Sequence, residues 1–166
     1  MRVVTITKAN IHTYLNLAQC YEAEFSSITL KKPNEMGVFE LDTQIGKDIE
    51  GLLLLVDDVP AAIAAIAIKG DARYEVCEFY VIPSFRSVTI GRQFAHMIWR
   101  KYCGKWEIKQ IEGAEYASEF WRKSISAFER TTYIEDRYED PYWGIVTRQQ
   151  FRVEKSLNME TCDYKE

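Results

Sequence analysis

A turn that follows a short apolar run has the residue types that bind phosphate groups. The chain reads Glu-Phe-Tyr-Val-Ile-Pro-Ser-Phe-Arg-Ser-Val-Thr-Ile-Gly-Arg from Glu78 to Arg92, and a helical pattern begins before this stretch ends. The first N–H groups of a helix have no partner within the helix, and the positive end of the helix dipole lies beside them. A basic turn of small residues at this point therefore predicts a site for the phosphate or diphosphate of a small molecule.

Composition and charge limit the classes of protein to consider. The 166 residues are 47% hydrophobic and 28% charged, as expected of one soluble domain with a core of its own. The net charge of −4 argues against a nucleic-acid partner, because such surfaces are normally basic. The most apolar stretch, 51–68, is interrupted by Asp57, Asp58 and Pro60, and the N-terminus lacks the apolar core of a secretory signal. We therefore expect no membrane association.

The cysteines predict neither a metal site nor a disulfide framework. Cys20, Cys77, Cys103 and Cys162 are widely spaced without a C-x-x-C pair, and the chain has only two histidines. We interpret the cysteines as reduced thiols of a cytoplasmic protein, and Cys77 and Cys103 as small buried apolar residues.

The periodicity of apolar residues predicts strands and helices that would position the turn. It predicts the order β-α-(short elements)-β-β-β-α-β-α-β-β, with the short elements around a segment at 38–41. The strands are predicted near 3–6, 52–56, 62–68, 76–82, 106–111, 131–138 and 145–153, and the helices near 11–25, 90–101 and 115–128. Gly104 has the position of a residue that ends the second helix. We expect one α/β domain over residues 1–153 with a mixed sheet, and a disordered polar tail over 154–166.

This order, with Arg-Ser-Val-Thr-Ile-Gly at 86–91, resembles the GNAT superfamily of acyl-CoA-dependent N-acyltransferases, whose turn reads Gln/Arg-x-x-Gly-x-Gly/Ala. Arg86 and Gly91 match the first and last positions, and Thr89 replaces the first glycine. A Gly-Lys-Trp-Glu strand at 104–107 and a Phe-Trp-Arg-Lys helix at 120–123 look like one bacterial group of predicted GNAT acetyltransferases, as do 24–26 and the turn at 56–61. The resemblance covers residues 3–153.

The resemblance implies a fold, a cofactor and a set of cofactor contacts. The fold is an α/β (α+β) fold of the GNAT type, a mixed and mostly antiparallel sheet of about seven strands flanked by helices, with splayed fourth and fifth strands. The cofactor is acetyl-CoA. Backbone groups of Tyr80, Val81 and Ile82 would bind its pantetheine arm. The diphosphate would be held by Arg86, Ser87, Val88, Thr89, Ile90, Gly91 and Arg92, while Ala117, Phe120 and Trp121 would pack on the pantetheine and thiol end.

The resemblance also implies direct transfer of an acetyl group to a primary amine. A protonated amine must lose a proton before it attacks, and our choice for the base is Glu78, directly or through water. The general acid stays open, because Trp121 stands where many family members have a tyrosine and Ala114 replaces the family's asparagine. Glu24 and Phe25 on the first helix would line the acceptor pocket.

Other interpretations remain open at this stage. Glu78 could be a solvated residue on a half-exposed strand face, and His96 is a surface or packing residue rather than an acid or a ligand. The chain could be a CoA-binding module with weak or lost catalysis, or a cofactor-free α/β interaction domain. The acceptor could be a small molecule or a protein amine. Family members often form dimers, which leaves a homodimer open here.

Overall fold

Among the described residues the chain has seven strands and three helices in the predicted order, but no regular element at the short segment expected over 38–41. The structure, a computed structural model, describes residues 1–87, 89–129 and 131–154, so most of the expected tail lies outside the described residues. The elements are β1 Arg2–Thr5, α1 Ile11–Thr29, β2 Ile49–Val56, β3 Val59–Ile68, β4 Arg73–Val81, α2 Ile90–Lys101, β5 Gly104–Ile111, α3 Glu115–Ser126, β6 Tyr133–Asp140 and β7 Gly144–Val153. A single 3-10 turn, Pro83–Phe85, separates β4 from α2. No described helix is long and apolar enough to cross a membrane.

The strands form one sheet in the order β1-β2-β3-β4-β5-β7-β6. β4 and β5 are parallel, whereas β1 with β2, β5 with β7 and β6 with β7 are antiparallel, so the expectation of a mixed sheet is confirmed. The parallel register runs only from Arg73↔Lys105 to Val76↔Ile108, although both strands continue beyond these pairs.

The chain divides into two compact units, which we describe separately. Unit 1 comprises Met1–Ile66 and Cys77–Gly91, and unit 2 comprises Ala67–Val76 and the described residues from Arg92 onward. The second half of β4 and the turn that follows it therefore lie in unit 1. β5, α3, β6, β7 and most of α2 lie in unit 2.

Unit 1 is built around one face of α1. Tyr14, Ala18 and Glu22 recur every four residues and are buried, as expected of the core-facing stripe of a helix. The stripe packs with Leu53 of β2, Ile63 and Ala65 of β3 and Tyr80 of β4. Asp57 and Asp58 join β2 to β3 with φ of 50° and 62°. A two-residue turn with both φ values positive matches the twist of a hairpin.

Unit 2 has an aromatic core. Trp99 of α2 lies 4.9 Å from Phe151 and 6.2 Å from Trp121, measured between ring centroids. His96 lies 5.4 Å from Trp99, and its Nε2 lies 2.9 Å from the carbonyl oxygen of Ser124. Burial lowers the pKa of His96, although the contact with Ser124 opposes this effect. His96 therefore packs in the core of unit 2, and the absence of a role as an acid or a ligand stays a prediction.

The structure corrects the prediction for Gly104. α2 ends at Lys101, and Gly104 is the first residue of β5 rather than the end of the helix. Its φ is +149°, and a Cβ atom there would lie 2.1 Å from the carbonyl oxygen of Ala72. That oxygen accepts a hydrogen bond from the N–H of Lys105 at 2.8 Å, so the backbone must pass close by. Glycine is required for this approach and not for a helix cap.

The cysteines differ in part from the expectation. Cys20 and Cys77 are reduced, as expected, but Cys77 is half-buried rather than buried. Cys103 is buried, as expected, but it is disulfide-bonded, so the expectation of a reduced thiol is wrong for this residue.

We expect Gly104→Ala to destabilise the fold by about 2 kcal/mol or more, because the added methyl group would overlap the Ala72 carbonyl. Urea unfolding followed by circular dichroism measures the change. Gly46→Ala is the matched control, since a Cβ at Gly46 meets nothing within 4 Å. Equal stabilities of the two variants would contradict the assignment.

Candidate functional site

The central feature of unit 1 is a buried carboxylate on β4. Side chains alternate along this strand, so that Glu78 and Tyr80 lie on its buried face, 3% and 7% exposed. The hydroxyl of Tyr14 on α1 donates a hydrogen bond of 2.7 Å to Oε2 of Glu78. The other oxygen, Oε1, has no hydrogen-bond partner of ordinary geometry within the described part of the chain. The interpretation of Glu78 as a solvated residue is therefore wrong.

The surroundings of Glu78 favour its protonated form. Burial is the largest cause that raises the pKa of the Glu78 carboxyl, and the negative charges of Glu22 and Asp42 add to it. The hydroxyls of Tyr14 and Thr43 oppose this effect, because they stabilise the carboxylate. Burial also raises the pKa of Tyr14, and the charge of Glu78 raises it further, so Tyr14 remains the hydrogen-bond donor of the pair.

A second buried carboxylate, Glu22, lies on the same stripe of α1 as Tyr14. Glu22 is 1% exposed, and its Oε2 lies 3.2 Å from Nζ of Lys31. The same ammonium lies 2.9 Å from Oδ1 of Asp42, whereas Oε1 of Glu22 has no partner among the described residues. The sequence analysis missed Tyr14 and Glu22 as site residues. Glu22 could have been found from the sequence, because it is a charged residue eight positions after Tyr14, on the apolar face of a helix.

The turn after β4 uses some of the amides that we expected to bind phosphate. The N–H of Ser87 donates to the carbonyl of Phe85 at 2.8 Å, so this amide is already committed. The hydroxyl of Ser87 accepts a bond from the N–H of Ile90 at 3.4 Å and lies 3.2 Å from the hydroxyl of Thr89. Val88 lies outside the described residues.

Arg86 contacts several residues that we assigned to different ligands. Its Nε donates to the carbonyl of Val81 at 2.8 Å, and its Nη2 lies 2.7 Å from Oε2 of Glu24. The guanidinium also lies over the ring of Tyr80, 5.4 Å from the centroid. The structure thus brings together a predicted diphosphate ligand, a predicted acceptor ligand and a predicted pantetheine contact. The Arg86–Glu24 pair is exposed, and exposed pairs are weak and exchange readily.

Phe25 packs beside this group. Its ring stacks on Tyr21 at 5.3 Å, and Tyr21 lies 6.1 Å from Tyr80. Ile82 is held by a bond from its N–H to the carbonyl of Ala61. The rings of Phe25, Tyr21 and Tyr80 therefore lie next to one another at the end of β4 within unit 1.

The remaining candidates lie in or next to unit 2. Arg92, Ala117 and Phe120 are half-buried there, and Gly91, the last residue of unit 1, is buried. Trp121 is 5% exposed and packs against Phe120 at 4.9 Å, so it is a core residue of unit 2. No group of described His, Cys, Asp and Glu side chains could hold a metal ion.

Comparison with known proteins identifies related folds only among solved structures. No protein-family model and no curated protein matches the sequence. A point mutant of the spermidine N-acetyltransferase SpeG of Vibrio cholerae superimposes with a TM-score of 0.63 at 8% identity, covering 95% of this chain and 98% of its own.

Two further solved structures are similar. The ribosomal-protein-S18-alanine N-acetyltransferase of Escherichia coli has a TM-score of 0.60 at 11% identity, covering 96% of this chain and 99% of its own. RimL, a ribosomal L7/L12 α-N-protein acetyltransferase in complex with coenzyme A, has a TM-score of 0.64 at 8% identity. The match covers 93% of this chain and 94% of RimL. At such identities the similarity establishes the fold.

We expect Glu78→Gln to become more stabilising relative to the native protein as the pH rises. The folded-state pKa of Glu78 is raised above 4.5, so its contribution to stability is complete below pH 4.5 and is lost as the pH rises through the folded-state pKa. A tenfold difference in proton affinity between the folded and unfolded states corresponds to about 1.4 kcal/mol. Urea unfolding between pH 4 and pH 8 measures the difference in stability. A difference that does not depend on pH would contradict the raised pKa.

Proposed function

We propose that this chain, which has the fold of the GNAT superfamily of acyl-CoA-dependent N-acyltransferases, transfers the acetyl group of acetyl-CoA directly to a primary amine of a small molecule or protein. One observation carries the proposal beyond the fold. Glu78 is a buried carboxylate, oriented by Tyr14, two residues before the β4 segment that we expect to bind the cofactor. A carboxylate with a raised pKa is suited to accept a proton from an amine.

The residues present fit a cofactor that carries a diphosphate. α2 begins at Ile90, directly after a turn whose two exposed hydroxyls, of Ser87 and Thr89, can donate to phosphate oxygens. Arg86 can exchange its exposed contact with Glu24 for a phosphate, because both are charge-assisted hydrogen bonds. We assign Tyr80, Val81 and Ile82 to the pantetheine arm, and Ala117 and Phe120 to apolar contact with it. We assign Trp121, which packs against Phe120, to the same apolar contact.

The chemistry requires a base more than a nucleophile. An alkyl ammonium has a pKa of about 10, so at neutral pH the amine must lose a proton to become reactive. Bound acetyl-CoA would supply an acetyl thioester, whose C–S bond is replaced by a C–N bond to the amine. Glu78 accepts the proton of the amine, directly or through water, while Tyr14 holds its carboxylate in place. Trp121 carries no acidic proton, so we assign protonation of the departing thiolate to solvent.

We expect acetyl-CoA to stabilise the protein in a thermal-shift assay. At a hundred times its Kd the gain in free energy of unfolding is about 2.7 kcal/mol. Mass spectrometry of amine mixtures incubated with protein and acetyl-CoA then detects acetylated products. Binding without products would favour a CoA-binding module, and the absence of both effects would favour an interaction domain without a cofactor.

We expect Glu78→Gln to lower kcat/KM by about 10²–10⁴-fold near neutral pH, the usual contribution of a general base. The loss should shrink at high pH, where free amine is abundant. A steady-state pH–rate profile measures both effects. Glu50→Gln is the matched control, because Glu50 is a buried carboxylate of the same unit that accepts a hydrogen bond from Thr5. Equal losses in both variants would remove Glu78 from the proton transfer.

A further inference from the structure

The buried carboxylates of the chain are concentrated in unit 1. Among the described residues, the buried acidic side chains are Glu22, Glu50 and Glu78, and all belong to unit 1. The buried polar side chains of unit 2 are neutral amides and hydroxyls. Burial of a carboxylate is costly unless a cation or several donors compensate for it. Unit 1 therefore needs cations or hydrogen-bond donors that offset the cost of its buried carboxylates, whereas unit 2 has no such cost among its described residues.

The charges around Glu22 and Glu78 do not balance. Glu22 and Asp42 share the ammonium of Lys31, and Glu22 lies on the same stripe of α1 as Tyr14, which binds Glu78. The negative charges of Glu22 and Asp42 also raise the pKa of the Glu78 carboxyl, although less than burial does, so we treat the three carboxyl groups as one cluster. The ammonium of Lys31 contacts Glu22 and Asp42 and is the cation seen in contact with this group in the described chain. Even with Glu78 protonated, one ammonium beside the carboxylates of Glu22 and Asp42 leaves the cluster with an excess of negative charge.

Two carboxylate oxygens in this cluster have no partner. Oε1 of Glu22 and Oε1 of Glu78 are inaccessible to solvent, and neither accepts a hydrogen bond of ordinary geometry within the described residues. Both side chains are more than nine-tenths buried. Buried polar atoms in folded proteins nearly always have a partner. Gln110 and Gln149 of unit 2 also have buried atoms without one, but those are neutral amides, whereas the two oxygens of unit 1 belong to carboxylates beside an excess of negative charge and therefore favour a cationic donor.

We propose that Glu22, together with Glu78, binds the protonated amine of the acceptor, and that the acceptor is an alkyl primary ammonium without an adjacent carboxylate. This inference rests on the proposed function and specifies its acceptor. A primary ammonium has three N–H donors and fits carboxylate oxygens as a compact charge. Lys31 shows this chemistry, because its alkyl ammonium already contacts the other oxygen of Glu22. A carboxylate next to the amine would be repelled by the cluster.

The proposal gives separate roles to the two glutamates. Glu22 supplies a binding charge, and Glu78 accepts the proton that the amine loses. The groups around Glu78 are Tyr14 and Glu22 of α1 and, from the segment between α1 and β2, Asp42 and Thr43. A bound cation lowers the pKa of Glu78, since it favours the carboxylate. Binding of the ammonium therefore releases a proton, and affinity rises with pH.

Calorimetry with butylamine tests the proposal on the full chain, with and without CoA. We expect butylamine to bind, whereas the neutral butan-1-ol and 2-aminobutanoate, whose carboxylate is next to the amine, bind at least about tenfold more weakly. Glu22→Gln should weaken butylamine binding about tenfold or more. Lys31→Met should strengthen it, because it removes the competing ammonium. Glu35→Gln, an exposed carboxylate in the same segment, should change affinity less than twofold.

The opposite signs expected for Glu22→Gln and Lys31→Met separate binding from simple loss of structure. If either variant fails to fold, butylamine titrations of the native protein in two buffers of different ionisation enthalpy still measure proton release. Equal affinities of native protein and Glu22→Gln, equal binding of butan-1-ol and butylamine, or binding without proton release would each overturn the proposal.

Turnover distinguishes this proposal from the proposed function. Failure to bind acetyl-CoA would refute the acetyltransferase while leaving amine binding measurable. Normal acetylation with the same KM for butylamine in Glu22→Gln would refute only the role of Glu22. A role in binding predicts a raised KM with kcat nearly unchanged.

Discussion

The chemistry of unit 1 depends on one buried hydrogen bond, from the phenol of Tyr14 to the carboxylate of Glu78. The two residues are 64 positions apart, and the bond joins α1 to β4 in the core. Burial makes the carboxylate expensive, and the phenol offsets part of this cost while fixing the orientation of the group. Only one oxygen accepts a hydrogen bond of ordinary geometry among the described residues, and the other is the buried atom that we propose contacts the amine. The raised pKa and the free oxygen are both consequences of the same placement.

The charged contacts of unit 1 are of two kinds, which differ in how easily they exchange. Glu78 is held in the core, where a change of partner leaves a buried charge unpaired. Arg86 and Glu24 are more than a third exposed, so water and salt compete with their ion pair throughout. A proton acceptor needs the first kind of contact, because its geometry must not vary. A group that captures a phosphate needs the second kind, because it must leave one partner for another.

The sequence predicted those features of the molecule that depend on local pattern. Strand alternation and helical period gave the order of the elements and placed Glu78 on a strand before the turn. The role of Gly104 could not be predicted, because it depends on the approach of β5 to Ala72 rather than on the end of α2. The partner of Glu78 could not be predicted either, since alternation defines two strand faces but does not show which one α1 covers. The burial of Glu22 could have been predicted from the sequence, because Glu22 lies on the same helical stripe as Tyr14 and Ala18.

Identities of about a tenth with the similar solved structures mean that the fold is maintained by burial pattern rather than by particular residues. The residues that indicate function are therefore those that the burial pattern alone would not select. Stability alone favours apolar side chains at the positions of Glu22 and Glu78, or complete hydrogen bonding of the charges that are present. Neither condition holds, because each carboxylate keeps one buried oxygen without a partner. Buried amide atoms of Gln110 and Gln149 in unit 2 also have no such partner, but an amide carries no charge. Violations of a local folding rule are expected at functional sites, and the two that involve a carboxylate lie in unit 1, where we propose that an amine and its proton are bound.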